Sequence, residues 1–70
     1  MNLVERLNSV PVYLLLESEE MVIKSLPENP SYLAKRKGGE EYPLAFDADY
    51  AIEAIYGGGK EISEAEYLAY

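Results

Sequence analysis

The hydrophobic pattern changes period several times along the chain, and each change marks an element. The clearest helical stretch is residues 47–59, DADYAIEAIYGGG. Ala48, Ala51, Ile52, Ile55 and Tyr56 recur at i, i+3, i+4, i+7 and i+8, which predicts a helix with that stripe on a core. Asp47 stands where an N-cap belongs, its carboxylate able to accept from first-turn N–H groups. Three glycines stop the helix, and Gly57 is expected in the left-handed conformation common at helix C-termini. Asp49 and Glu53 lie one turn apart and point away from the stripe.

Elsewhere the pattern is that of strands. Residues 11–17, PVYLLLE, form an apolar run without helical period. Val12, Leu14 and Leu16 would share one face, and Tyr13 and Leu15 the other, so the strand is expected to be covered on both sides. A polar break at residues 17–20 leads to a second alternating run, residues 21–26, which completes a hairpin. The two prolines of PENP, residues 27–30, impose a loop because proline has no N–H for a ladder. Residues 31–37 and 40–46 flank Gly38-Gly39 as a second hairpin. Across its turn Lys35, Arg36 and Lys37 would face Glu40 and Glu41 as ion pairs, and Pro43 either makes the returning strand an edge or bounds a shorter strand from Leu44 to Phe46.

Both ends read as short helices. Asn2 can cap residues 3–8, with Leu3, Val4 and Leu7 facing inward, a first strand being the alternative there. Ser63 followed by Glu66 is a capping box, starting a helix in which Ala65 and Leu68 would pack inward. The predicted class is α+β. It is a single domain over residues 1–70, with an antiparallel sheet of three to four strands in two hairpins. A short N-terminal helix and two C-terminal helices pack on one face of that sheet.

Composition removes several chemistries. The 70 residues hold no cysteine and no histidine. That excludes disulfides, thiolate metal sites, the commonest zinc ligand and the commonest general base. No run approaches the roughly 20 apolar residues of a membrane span, and the expectation is a cytoplasmic protein. Of the eight aromatics, seven are tyrosine, a side chain suited to half-buried positions and interfaces.

The net charge of −7 is unevenly placed. Residues 1–39 carry five acids and five bases, whereas residues 40–70 carry eight acids and one base, Lys60. The imbalance therefore lies wholly in the second part. Such a surface repels nucleic acid and anionic membranes and attracts basic protein patches.

Motif-like spacings weaken on inspection. Gly57-Gly58-Gly59-Lys60 follows a helix instead of a strand, and Glu61 would repel phosphate, so a turn is expected there and not a phosphate loop. Asp47 and Asp49 lack the further oxygen ligands and glycine of a calcium loop. The basic tip at Lys35, Arg36 and Lys37 is largely offset by Glu40 and Glu41. The expectation is a protein that is not an enzyme and uses no cofactor and no metal.

In size, acidity and lack of catalytic residues the chain resembles the small acidic inhibitors that phages and mobile elements direct against host nucleic-acid machinery, anti-CRISPR and other anti-defence proteins among them. The resemblance implies a DNA-mimic-like binding module for a larger basic protein. The expected partner-binding residues are Asp49, Glu53, Glu61, Glu64 and Glu66, with Tyr50 and Tyr67 as semi-apolar anchors. The alternative is a homodimer or assembly module in which the acid serves solubility. The two-sided strand at residues 11–17 and the small core of a 70-residue chain motivate it.

Overall fold

The computed structural model of the chain describes residues 2–70. Asn2 caps α1 (Leu3–Leu7), its side-chain oxygen accepting from the Glu5 N–H at 2.9 Å. Leu3 and Leu7 pack on the core while Val4 faces outward, since five helical residues offer only one inward stripe. β1 (Val12–Leu16) and β2 (Met21–Ser25) form the first hairpin, in register from Val12 opposite Ser25 to Leu16 opposite Met21. Its loop is a 3₁₀ turn, Glu17–Glu19, closed by Glu20 in the left-handed region at φ 48°. After the PENP loop, β3 (Tyr32–Arg36) and β4 (Tyr42–Leu44) form the second hairpin, with Gly38 at φ 75° in its turn and Pro43 on the edge strand. α2 (Asp49–Tyr56), β5 (Lys60–Ile62) and α3 (Glu64–Ala69) complete the chain.

The α+β reading holds, with an antiparallel sheet and three short helices. The structure refines it in two respects. A fifth strand is present, giving the order β4-β3-β2-β1-β5 with every pair antiparallel. The helices also divide between the two faces. Val12, Leu14, Met21, Ile23, Tyr32, Ala34 and Leu44 form one cluster with Ala51 and Ala54 of α2, with Leu3 and Leu7 packed against it. Tyr13 has the opposite parity to Val12 and Leu14, and it meets Tyr67 of α3 at 5.5 Å between ring centroids. β1 is thus covered on both sides.

α2 differs from its expected form in three details. Ala48, not Asp47, holds the N-cap position, and no side chain caps it. Gly57 ends the helix at φ −114°, outside the left-handed region. The helix is also rotated from its expected stripe. Ala51 and Ala54 are buried and Ala48 and Ile55 half-buried, while Ile52 and Tyr56 point to solvent. Small side chains let the helix axis approach the sheet closely, and the bulky residues take the outside.

Candidate functional site

The five acids expected to bind a partner sit on three elements, α2, β5 and α3. Asp49 and Glu53 lie on the outer surface of α2, and Glu64 and Glu66 lie in the first turn of α3. Because α2 and α3 cover opposite faces, these two pairs do not merge into one surface. α3 does not fold back beside α2, because β5 pairs with β1 and carries the chain past the sheet edge. The expected partner-binding acids of the two helices therefore form two patches.

Several acids are already engaged. Glu61 of β5 accepts a two-pronged contact from the Arg6 guanidinium, with Nη1 donating to Oε1 at 2.8 Å. That hydrogen-bonded cation holds the Glu61 carboxyl below its ordinary value. Glu66 completes the capping box: its N–H donates to Ser63 Oγ at 3.1 Å, and its Oε1 accepts from the Ser63 N–H at 3.0 Å. The same backbone hydrogen bond lowers its pKa. Among the described residues, Asp47, Asp49, Glu53 and Glu64 form no salt bridge.

Four of the five bases of residues 1–39, Arg6, Lys24, Lys35 and Arg36, are engaged within the fold. Lys24 Nζ meets Glu41 Oε2 at 2.8 Å, and Arg36 Nη1 donates to the Glu19 carbonyl at 2.6 Å. Lys35 Nζ donates to the Leu68 carbonyl at 3.4 Å. The ion pairs expected across the second hairpin turn do not form. Glu41 reaches Lys24 on the central strand, and Arg36 turns to Glu19 of the first hairpin loop. The turn is held by backbone bonds, with the Gly38 N–H donating to the Tyr70 carbonyl at 2.9 Å.

Tyr67 requires a correction. Expected as a surface anchor, it is 1% exposed. A helix of six residues has room for one deep inward position, and the ring takes it in place of Ala65 and Leu68. The hydroxyl donates to Glu41 Oε2 at 2.6 Å, so the phenol is buried without an orphaned polar atom. Lys24 and Lys35 ammonium groups stand 5.2 and 5.3 Å from the ring centroid. Burial, and then the neighbouring carboxylate, raise the phenol pKa above the ordinary tyrosine range. On the carboxylate side, Lys24 and then Tyr67 lower the Glu41 pKa. Tyr50 stays partly exposed, with the Arg36 guanidinium 5.5 Å from its ring centroid.

Little else suggests chemistry. A cleft of 150 Å³ lies between the end of α1 and the PENP loop, walled by Leu7, Asn8, Pro27, Tyr32 and Phe46. Tyr32 and Phe46 meet edge to face at its rim, 4.7 Å between centroids. No group of three or more potential metal ligands occurs among the described residues. No helix among them is long and apolar enough to cross a membrane.

Sequence reasoning missed the outward Ile52 and Tyr56. The signal was present: Ala48, Ala51, Ala54 and Ile55 form a second stripe of helical period, built from smaller side chains.

No protein-family profile matches the chain, and no curated protein matches it in sequence. A solved structure does match in fold. It is a chain of "Crystal structure of the complex between the Type VI effector Tas1 and its immunity protein", with TM-score 0.80 and 17% identity over 97% of this chain and 91% of that one. The two chains thus share one architecture at nearly equal length, at an identity that speaks for the fold alone.

Proposed function

We propose that this chain is an immunity-type inhibitor: a non-catalytic module that binds a larger, basic protein and blocks its activity. The observation that carries this reading is the distribution of charge in the fold. Lys24 and Arg36 are paired internally, while Asp49, Glu53 and Glu64 stand exposed and form no salt bridge among the described residues. A surface of that sign draws a basic partner at long range and disfavours phosphate backbones and anionic lipid. The absence of histidine and cysteine, and a cleft of 150 Å³ against the roughly 300–1,000 Å³ of small-molecule sites, support binding over catalysis.

The shared fold with a chain of an effector–immunity complex supports the same class. It favours a toxin-like effector as the partner over a nucleic-acid-binding defence complex. A DNA mimic needs carboxylates in a continuous row, and here the acids of α2 and α3 are separated by the sheet. A cytoplasmic site of action is part of this proposal. The homodimer alternative rested on the small core and on the two-sided β1 strand, and only the second ground changes. The two faces of β1 are covered within the chain, by α2 and by Tyr67 of α3.

Immobilised protein should capture a basic protein from lysate of its own source at 50 mM salt and release it at 0.5 M. Expression of the captured protein should arrest growth, and co-expression of this chain should restore it. If the retained proteins are no more basic than the lysate average, or co-expression gives no protection, the inhibitor reading is wrong.

A further inference from the structure

Helix α2 is packed in an unusual sense. Its sheet-facing positions are Ala48, Ala51, Ala54 and Ile55, and its largest apolar side chains face solvent, Ile52 at 45% and Tyr56 at 72% exposure. Asp49, Ile52, Glu53 and Tyr56 are spaced i, i+3, i+4 and i+7, so α-helical geometry gathers them into one outer stripe. That spacing is how helices present anchors to protein partners. The close approach of the small Ala51 and Ala54 to the sheet leaves Ile52 and Tyr56 outward, where nothing among the described residues buries them.

Charge selects the occupant. Among the described residues Asp49 and Glu53 have no ion-pair partner, and they flank the two apolar side chains. A second copy of this chain would bring the same carboxylates, and the same net charge of −7, against this face. A basic surface offers complementary charge, and an arginine fits both features at once. Its guanidinium pairs with a carboxylate and stacks on a phenol ring. The fold already contains such a stack, with Arg36 on Tyr50. We infer that the outer stripe of α2 is the docking surface for the basic partner, with Tyr56 and Ile52 as anchors and Asp49 and Glu53 as the charge that aligns it. This rests on the inhibitor reading and narrows it to one of the two acidic patches.

The test uses the full ¹⁵N-labelled chain and a helical peptide bearing arginines and leucines on one face. Titrated at 50 mM salt, the peptide should shift the amides of residues 49–56 most. Tyr56→Ala and Ile52→Asp should each weaken binding by about 30-fold, the scale of an interface hot spot, with the remaining amide peaks unmoved. Glu28→Lys, a charge reversal in the PENP loop away from α2, should leave the affinity within about twofold. Binding that maps to residues 61–69, or evenly to all carboxylates, overturns the α2 assignment and leaves the basic-partner reading standing. A peptide that does not bind at all contradicts the basic-partner reading itself. Concentration-dependent dimerisation that broadens the residue 49–56 signals would make a second copy the occupant and overturn the inference.

Discussion

Alanine substitution along the three consecutive glycines after α2 is expected to give a graded loss of stability. A Cβ on Gly59 would stand 1.9 Å from the Ala54 carbonyl oxygen and 2.6 and 2.7 Å from Ala54 C and Cα. A carbon–oxygen contact needs about 3.3 Å, so the chain must open by about 1.4 Å. Every obstructing atom is backbone in the middle of α2, and no rotamer change relieves it. Either α2 lifts from β1 or β5 slips from the same strand, and both contacts position the C-terminal part. Overpacking with side chains free to move costs about 1–3 kcal/mol, so about 3 kcal/mol or more is expected here. That is a large share of the roughly 3.5–10 kcal/mol available to a chain of this length. At Gly57 the nearest atom is the Glu53 carbonyl oxygen at 2.9 Å, a shortfall of a few tenths of an ångström and about 1 kcal/mol. At Gly58 nothing lies within 4 Å, so Gly58→Ala should be neutral or up to about 1 kcal/mol stabilising through the unfolded chain. Urea unfolding followed by circular dichroism reads the series. With a slope near 1 kcal/mol per molar, Gly59→Ala should lower the midpoint by about 3 M relative to Gly58→Ala, or prevent folding. Midpoints within about 0.5 M of each other would refute the close approach of β5 to α2.

Tyr67→Phe keeps the ring against Tyr13 and removes the hydroxyl bond to Glu41, so thermal or urea unfolding should show a loss of about 1–2 kcal/mol; an unchanged midpoint would mean that bond contributes nothing. The Glu41 and Glu61 carboxyls are lowered by Lys24 and Arg6, so the stability they supply is present above the unfolded glutamate value near 4.3 and is lost as pH falls through their folded values. Unfolding midpoints should therefore hold from pH 6 to 8 and fall below about pH 4.3, with a shallower fall in Glu41→Gln. Glu20 sits at φ 48°, where a side chain costs about 1–2 kcal/mol, so Glu20→Gly should gain about 0.5 kcal/mol after the larger unfolded-state entropy of glycine is subtracted. A destabilised Glu20→Gly would show that this turn does not need the left-handed residue.

The parts of the fold legible in the sequence are those decided by local chemistry. The Asn2 cap, the Ser63–Glu66 capping box, the PENP loop and the glycine turn of the second hairpin depend on residues a few positions apart. What local chemistry cannot weigh is approach distance. Two stripes of helical period run along α2, and hydrophobicity favours the one holding Ile52 and Tyr56. The sheet accepts the one holding Ala51 and Ala54, because only small side chains permit the close approach. Strand β5 was hidden for a similar reason. Lys60-Glu61-Ile62 has no strand pattern of its own, and its pairing comes from the edge of β1 that it meets. Tyr67 looked like an interface residue because its hydroxyl needs a partner. That partner is Glu41, 26 positions away, and the lysines beside the ring come from β2 and β3. The acids of the candidate site were legible as composition, but their division into two patches depends on which face each helix covers.

The most direct test of the central claim is the affinity of the captured partner for this chain, measured by calorimetry at 50 mM and 0.5 M salt for the wild type and for the double reversal Asp49→Lys with Glu53→Lys. An acidic docking surface requires the wild-type Kd to rise by about tenfold or more between the two salts, and the reversal to bind weakly and almost independently of salt. A wild-type Kd that does not change with salt, or a reversal that binds as tightly as the wild type, would contradict the account.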